Sequence, residues 1–82
     1  MNILVRNRLP KLYELLNNLS YYSLRIDYVA KKIGLSIAFL KKLDHSTQSV
    51  EAKIFEEMTG DSINVFVYNN VTYIGLETRR IA

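Results

Sequence analysis

Apolar and polar positions divide the chain into four runs of helical period and one pair of strands. Between Ile26 and Leu43 it reads IDYVAKKIGLSIAFLKKL. Val29 and Ile33 are one turn apart, and Ala30 lies three before Ile33, so this run turns one face to a core. Gly34 supplies the backbone freedom to leave a helix through a left-handed residue. Ser36 is placed to cap a further helix over 36–44, whose Leu40 and Leu43 lie three apart on its inner side. Ala30 is small enough for that helix to cross closely. Upstream, Pro10 suits a first helical turn, and Leu9, Leu12, Tyr13, Leu16 and Leu19 form a stripe. A helix over 10–19 follows, frayed by Asn17, Asn18 and Ser20. Downstream, Val50, Ile54 and Met58 recur every four residues with Ala52 and Phe55 nearby, predicting a helix over 48–59 that Thr59, Gly60 and Asp61 end. Lys53 and Glu57 are spaced to pair on its exposed side.

The β signal is INVFVY and VTYIGL flanking Asn69-Asn70. Asn tolerates the left-handed conformations of a two-residue hairpin turn. Pairing Tyr68 with Val71 sets Phe66 opposite Tyr73, Val65 opposite Ile74 and Ile63 opposite Leu76. One face is then Ile63, Val65, Val67, Thr72, Ile74 and Leu76; the other is Phe66, Tyr68, Val71 and Tyr73. Both are apolar, and a sheet resting on helices needs only one apolar face. The second must meet the N-terminal segment, another subunit or a different protein. Residues 2–8 (NILVRNR) read either as a short strand or as a basic arm.

Ala30, Ile33, Gly34, Leu35, Leu40 and Leu43 resemble the helix-turn-helix of DNA-binding regulators. That pattern has a small residue four before a turn glycine, apolar residues on both sides of it, and further apolar residues six and nine later. The resemblance covers 18 of the 82 residues. It implies one α+β domain over 1–82, winged helix-turn-helix-like, with three to four short helices followed by a C-terminal hairpin. It implies a regulator of transcription bound to duplex DNA, with Lys31, Lys32, Lys41 and Lys42 on phosphates and Ser36, Ile37 and Ala38 facing bases. An ordinary helical hairpin that binds no nucleic acid needs much of the same spacing. A second register makes 36–44 and 48–59 the motif. Its reading helix would carry Glu51, Glu56 and Glu57, which repel phosphate, and so ranks second.

Even in the first register the reading helix is chemically plain. Base-specific contacts usually use Arg, Asn or Gln. Here two lysines, a serine and two apolar groups give relaxed specificity, or else a helix that docks on protein. Ile37 and Phe39 are both large, and both cannot easily be inside. The turn Asn69-Asn70 lacks the Lys or Arg of a hairpin lying on DNA. Phe66, Tyr68, Val71 and Tyr73 therefore suit a homodimer or partner contact. The rival function is a protein-interaction module, an accessory subunit of a replication or transcription assembly.

Charge sharpens the picture. Net charge is +3, unevenly distributed. Residues 1–45 hold eight basic against three acidic side chains, an excess of +5, whereas residues 46–82 hold three against five, or −2. The basic half contains the helix-turn-helix pattern, and phosphate neutralisation supplies most non-specific affinity. Lys31 and Lys32 also suit the negative end of their helix, and Asp27 the positive end. Tyr21 and Tyr22 either cap the core or reach a phosphate. Arg79 and Arg80 offer a late phosphate contact or belong to a mobile tail.

With 49% hydrophobic residues, a single domain this short has material for a core, although it buries only about two thirds of its unfolded surface. The absence of Cys excludes disulfides, thiolate zinc and a cysteine nucleophile. No stretch approaches the roughly 20 apolar residues of a membrane span, and Met1 to Val5 is too short for a signal peptide. A soluble, cytoplasmic protein is expected. His45, with Asp44 beside it, has no second imidazole to form a metal site and reads as a hydrogen-bonding surface residue. The carboxylates read as helix-surface groups. No phosphate loop and no nucleophile with a base at recognisable spacing stands out, so neither enzyme, metal nor cofactor is expected.

Overall fold

The computed structural model describes residues 1–18 and 23–79. Leu19, Ser20, Tyr21, Tyr22 and Arg80, named above, lie outside the described residues. The N-terminal segment is neither strand nor free arm. It forms a single helical turn, α1 (Ile3–Arg6), because the Asn2 side chain accepts a hydrogen bond from the Leu4 N–H at 2.7 Å and so caps the turn. Val5 packs against the core from it. Helix α2 (Leu9–Asn17) then carries Pro10 in its first turn and buries Leu9, Leu12 and Leu16.

Next come β1 (Leu24–Arg25), α3 (Ile26–Ile33), α4 (Ile37–Lys42), a 3-10 turn at His45–Thr47 and α5 (Val50–Thr59). Strands β2 (Ile63–Tyr68) and β3 (Val71–Leu76) form the C-terminal hairpin, and a 3-10 turn at Glu77–Arg79 follows it. The architecture is α+β, helices first and then a hairpin. Tyr68 faces Val71, Phe66 faces Tyr73, Val65 faces Ile74 and Ile63 faces Leu76. Asn69 and Asn70 have φ of +50° and +62°, the left-handed pair that a tight two-residue turn requires. The third strand is β1, which joins the outer side of β3 with Leu24 opposite Ile74 and Arg25 opposite Tyr73. The antiparallel sheet thus runs β1–β3–β2.

One core serves all of these elements. Val29 of α3, Leu40 of α4, Phe55 of α5 and Ile63, Ile74 and Leu76 of the hairpin are inaccessible to solvent. Burying one such side chain stabilises by about 1.5–3 kcal/mol. Helix α5 lies where its periodicity places it but is rotated relative to its aliphatic stripe. Ala52 and Phe55 face the core and Ile54 packs against it in part, whereas Val50 is 68% exposed and Met58 is also at the surface. The Phe55 ring meets Tyr13 of α2 edge-on, with centroids 6.2 Å apart. One aromatic side chain has more area to bury than any one residue of the aliphatic stripe.

Two carboxylates also depart from the expectation of helix-surface placement: Asp44 and Asp61 are each only 8% exposed. Buried acids need donors. Asp44 takes them from Val65 N–H at 2.7 Å and from Ser46 Oγ. Asp61 takes them from Ser62 N–H at 2.8 Å and Thr78 Oγ1 at 2.6 Å. Among the described residues no helix is long and apolar enough to cross a membrane.

Candidate nucleic-acid interface

Two short helices and the bend between them hold most of the basic residues singled out above. At the start of α3, Asp27 accepts from the Tyr28 N–H at 2.9 Å and from both Nε and Nη2 of Arg25 at 3.2 Å. The Arg25 hydrogen bond is the main reason the Asp27 carboxyl is held below the ordinary aspartate range; the Tyr28 amide adds to it. Helix α3 ends at Gly34, whose φ is +80°. The N–H groups of Gly34 and Leu35 both donate to the Ala30 carbonyl, at 2.8 and 3.1 Å, closing the helix with a left-handed cap. Ser36 then caps α4, its Oγ accepting from the Phe39 N–H at 3.0 Å.

Helix α4 is fastened at its other end too. The Lys42 carbonyl accepts from Thr47 Oγ1 at 3.0 Å and from Ser49 Oγ. Leu40 and the capping residue Leu43 are buried, and Phe39 is half-buried against the core. Of the two large residues in competition, Phe39 goes inward and Ile37 outward, 39% exposed. Lys31, Lys32, Ser36, Ile37, Ala38, Lys41 and Lys42 are all exposed.

The surface does not gather these residues into one cleft. Ile37 and Lys41, one helical turn apart, border a groove whose other walls are Arg25, Asp27 and the hairpin tip at Asn70 and Thr72. Lys31 and Lys32 border a separate depression with Tyr28. Lys32 also meets a groove along α2 beside Lys11 and Glu14. Ser36, Ala38 and Lys42 line none of these hollows. Arg25, Asn70 and Thr72 are additions: no local pattern set them beside α4, although Asn70 and Thr72 were legible as hairpin residues. They reach the groove through the β1–β3 pairing and the hairpin turn, contacts between segments distant in sequence.

On the hairpin, Phe66 and Tyr73 stack across the strands with ring centroids 5.6 Å apart and planes 21° from parallel. Phe66 and Tyr68 are 38% and 64% exposed, and Val71 and Tyr73 are half-buried. The core-facing side is buried only at its base. Val67, expected on it, stands clear of the helices at 68% exposed. His45 lies at the surface, its Nε2 2.6 Å from Glu77 Oε1, which ties the turn after α4 to the turn after β3. Among the described residues no group of three or more His, Asp or Glu side chains converges. No family model, curated protein or solved structure matches this chain.

Proposed function

We propose that this chain is a small DNA-binding protein, a regulator of transcription whose winged helix-turn-helix-like domain presents α4 to duplex DNA. One observation carries the reading. Helix α4 is anchored by Leu40 and Leu43 while Ile37, Ala38, Lys41 and Lys42 face solvent, and the hairpin tip lies across a groove from it. A protruding helix flanked by a hairpin is a shape that a major groove can receive. Lys41 and Lys42 then bind phosphate, with Lys31 and Lys32 on the adjoining helix, while Ile37 and Ala38 meet thymine methyls. With so few hydrogen-bonding side chains on α4, discrimination between sequences is modest. Duplex binding measured across a salt series tests this. Affinity should fall steeply with salt, and Lys41→Ala with Lys42→Ala should weaken it on every sequence. Salt-independent binding, or none, would remove the proposal.

A second reading has its own observation. Phe66 and Tyr68 are exposed and share one apolar hairpin face with the half-buried Val71 and Tyr73, a surface suited to an accessory subunit or a homodimer. Sedimentation of the wild type and Tyr68→Ser distinguishes it, since self-association should be lost in the variant while duplex affinity is kept.

A further inference from the structure

We infer that Arg25 is a phosphate ligand, and that the groove between α4 and the hairpin tip seats a backbone phosphate of the bound duplex. The inference rests on the DNA-binding reading above and adds a contact that the helix-turn-helix residues do not supply. The groove draws its walls from three places. Arg25 comes from β1, Lys41 from α4, and Asn70 and Thr72 from the hairpin tip. Two cationic side chains and one carboxylate border the groove, a net of one positive charge for a phosphodiester to neutralise.

The guanidinium is already oriented. A guanidinium has five N–H donors in a rigid fork. Asp27 takes one from Nε and one from Nη2, so both Nη1 hydrogens and the second Nη2 hydrogen remain. Those three point away from the carboxylate, and a phosphate accepts two of them side by side. The backbone of Arg25 is pinned by its register opposite Tyr73, so little order has to be gained when the phosphate arrives. Thr72 and Asn70 add a hydroxyl and an amide, groups that contact phosphate without reading sequence. Asp27 is here a positioning residue; it touches the arginine and not the phosphate.

The test is a salt titration of duplex binding, on one fixed duplex and one scrambled duplex of equal length. It compares the wild type, Arg25→Met, Arg25→Lys and the Lys41→Ala with Lys42→Ala variant. Removing one phosphate contact should flatten the log–log salt slope by about one and weaken binding about tenfold on both duplexes. Arg25→Lys should keep the slope, because the charge stays, and lose part of the affinity with the fork. Arg25 is exposed and outside the core, so circular dichroism should show all variants folded. An unchanged slope in Arg25→Met, with the lysine variant still impaired, overturns the inference and leaves the DNA-binding reading standing. Absence of wild-type binding to either duplex overturns both.

Discussion

The buried carboxylate of Asp44 accepts the Val65 N–H at 2.7 Å, across 21 residues of chain. It thereby fastens the end of the α4 region to the outer strand of the hairpin, whose Ile63 also bridges Asp44 through the backbone. The contact sets the hairpin's place beside α4. It also occupies an edge donor of β2 that would otherwise invite another strand. Asp44→Ala should destabilise the fold by about 1–3 kcal/mol, the usual result of stranding a buried donor. Asp44→Asn, which keeps an acceptor, should lose less. Urea denaturation reads both losses, and faster hydrogen exchange at the Val65 amide in Asp44→Ala reads the broken contact. Unchanged exchange in Asp44→Ala would refute the link.

Gly34 and Gly60 have φ of +80° and +74°, and both close helices. A side chain in that region is strained by about 1–2 kcal/mol. A Cβ at Gly34 would sit 3.6 Å from Arg8 Nε, an ordinary contact, and one at Gly60 would meet nothing within 4 Å. Backbone conformation alone therefore sets the effect, and Gly34→Ala and Gly60→Ala should lower stability equally within a few tenths of a kcal/mol. A much larger loss at Gly34 would show that the Arg8 contact governs the bend.

Helix α5 offers a contrast within ten residues. Phe55→Ala removes a side chain with no solvent exposure and should cost about 3–5 kcal/mol. That is enough to unfold much of the population of a domain whose total stability is about 5–15 kcal/mol. Val50→Ala, at a position 68% exposed, should stay within about 0.5 kcal/mol. Thermal melts of the two variants check the rotation of α5; equal losses would contradict it.

These contrasts mark what the residue order made legible. The hairpin register was readable because two strand-period runs and an Asn-Asn turn are local signals. So was the α3–Gly34–α4 bend, since a positive-φ glycine and a serine cap act within a few residues. The rotation of α5 was not. Val50 and Met58 repeat as regularly as Ala52 and Phe55, and the partners that receive Phe55, Tyr13 among them, lie on elements met only in three dimensions. Asp44 shows no local sign that its partner is Val65. The groove stayed hidden for the same reason, as Arg25 and Thr72 lie 47 positions apart and meet only through the sheet.

The Arg25–Asp27 pair gives the surface a dependence on pH whose sign follows from the shift. Asp27 is lowered chiefly by the Arg25 hydrogen bond, with the Tyr28 amide adding to it. A carboxyl lowered by folding holds fewer protons in the folded chain than in the unfolded one. Its stabilisation is therefore complete above the ordinary aspartate value of about 3.9 and fades as pH drops through the lower folded value. The site is open to solvent, so salt should shrink the effect. A carboxyl-detected NMR titration should find Asp27 below the ordinary range in the wild type, and nearer to it in Arg25→Met. Duplex DNA should move the same resonance the other way. A phosphate seated on the free Nη hydrogens brings negative charge close to the carboxylate, which favours its protonated form. An Asp27 titration indifferent to the duplex would mean that no phosphate comes near Arg25.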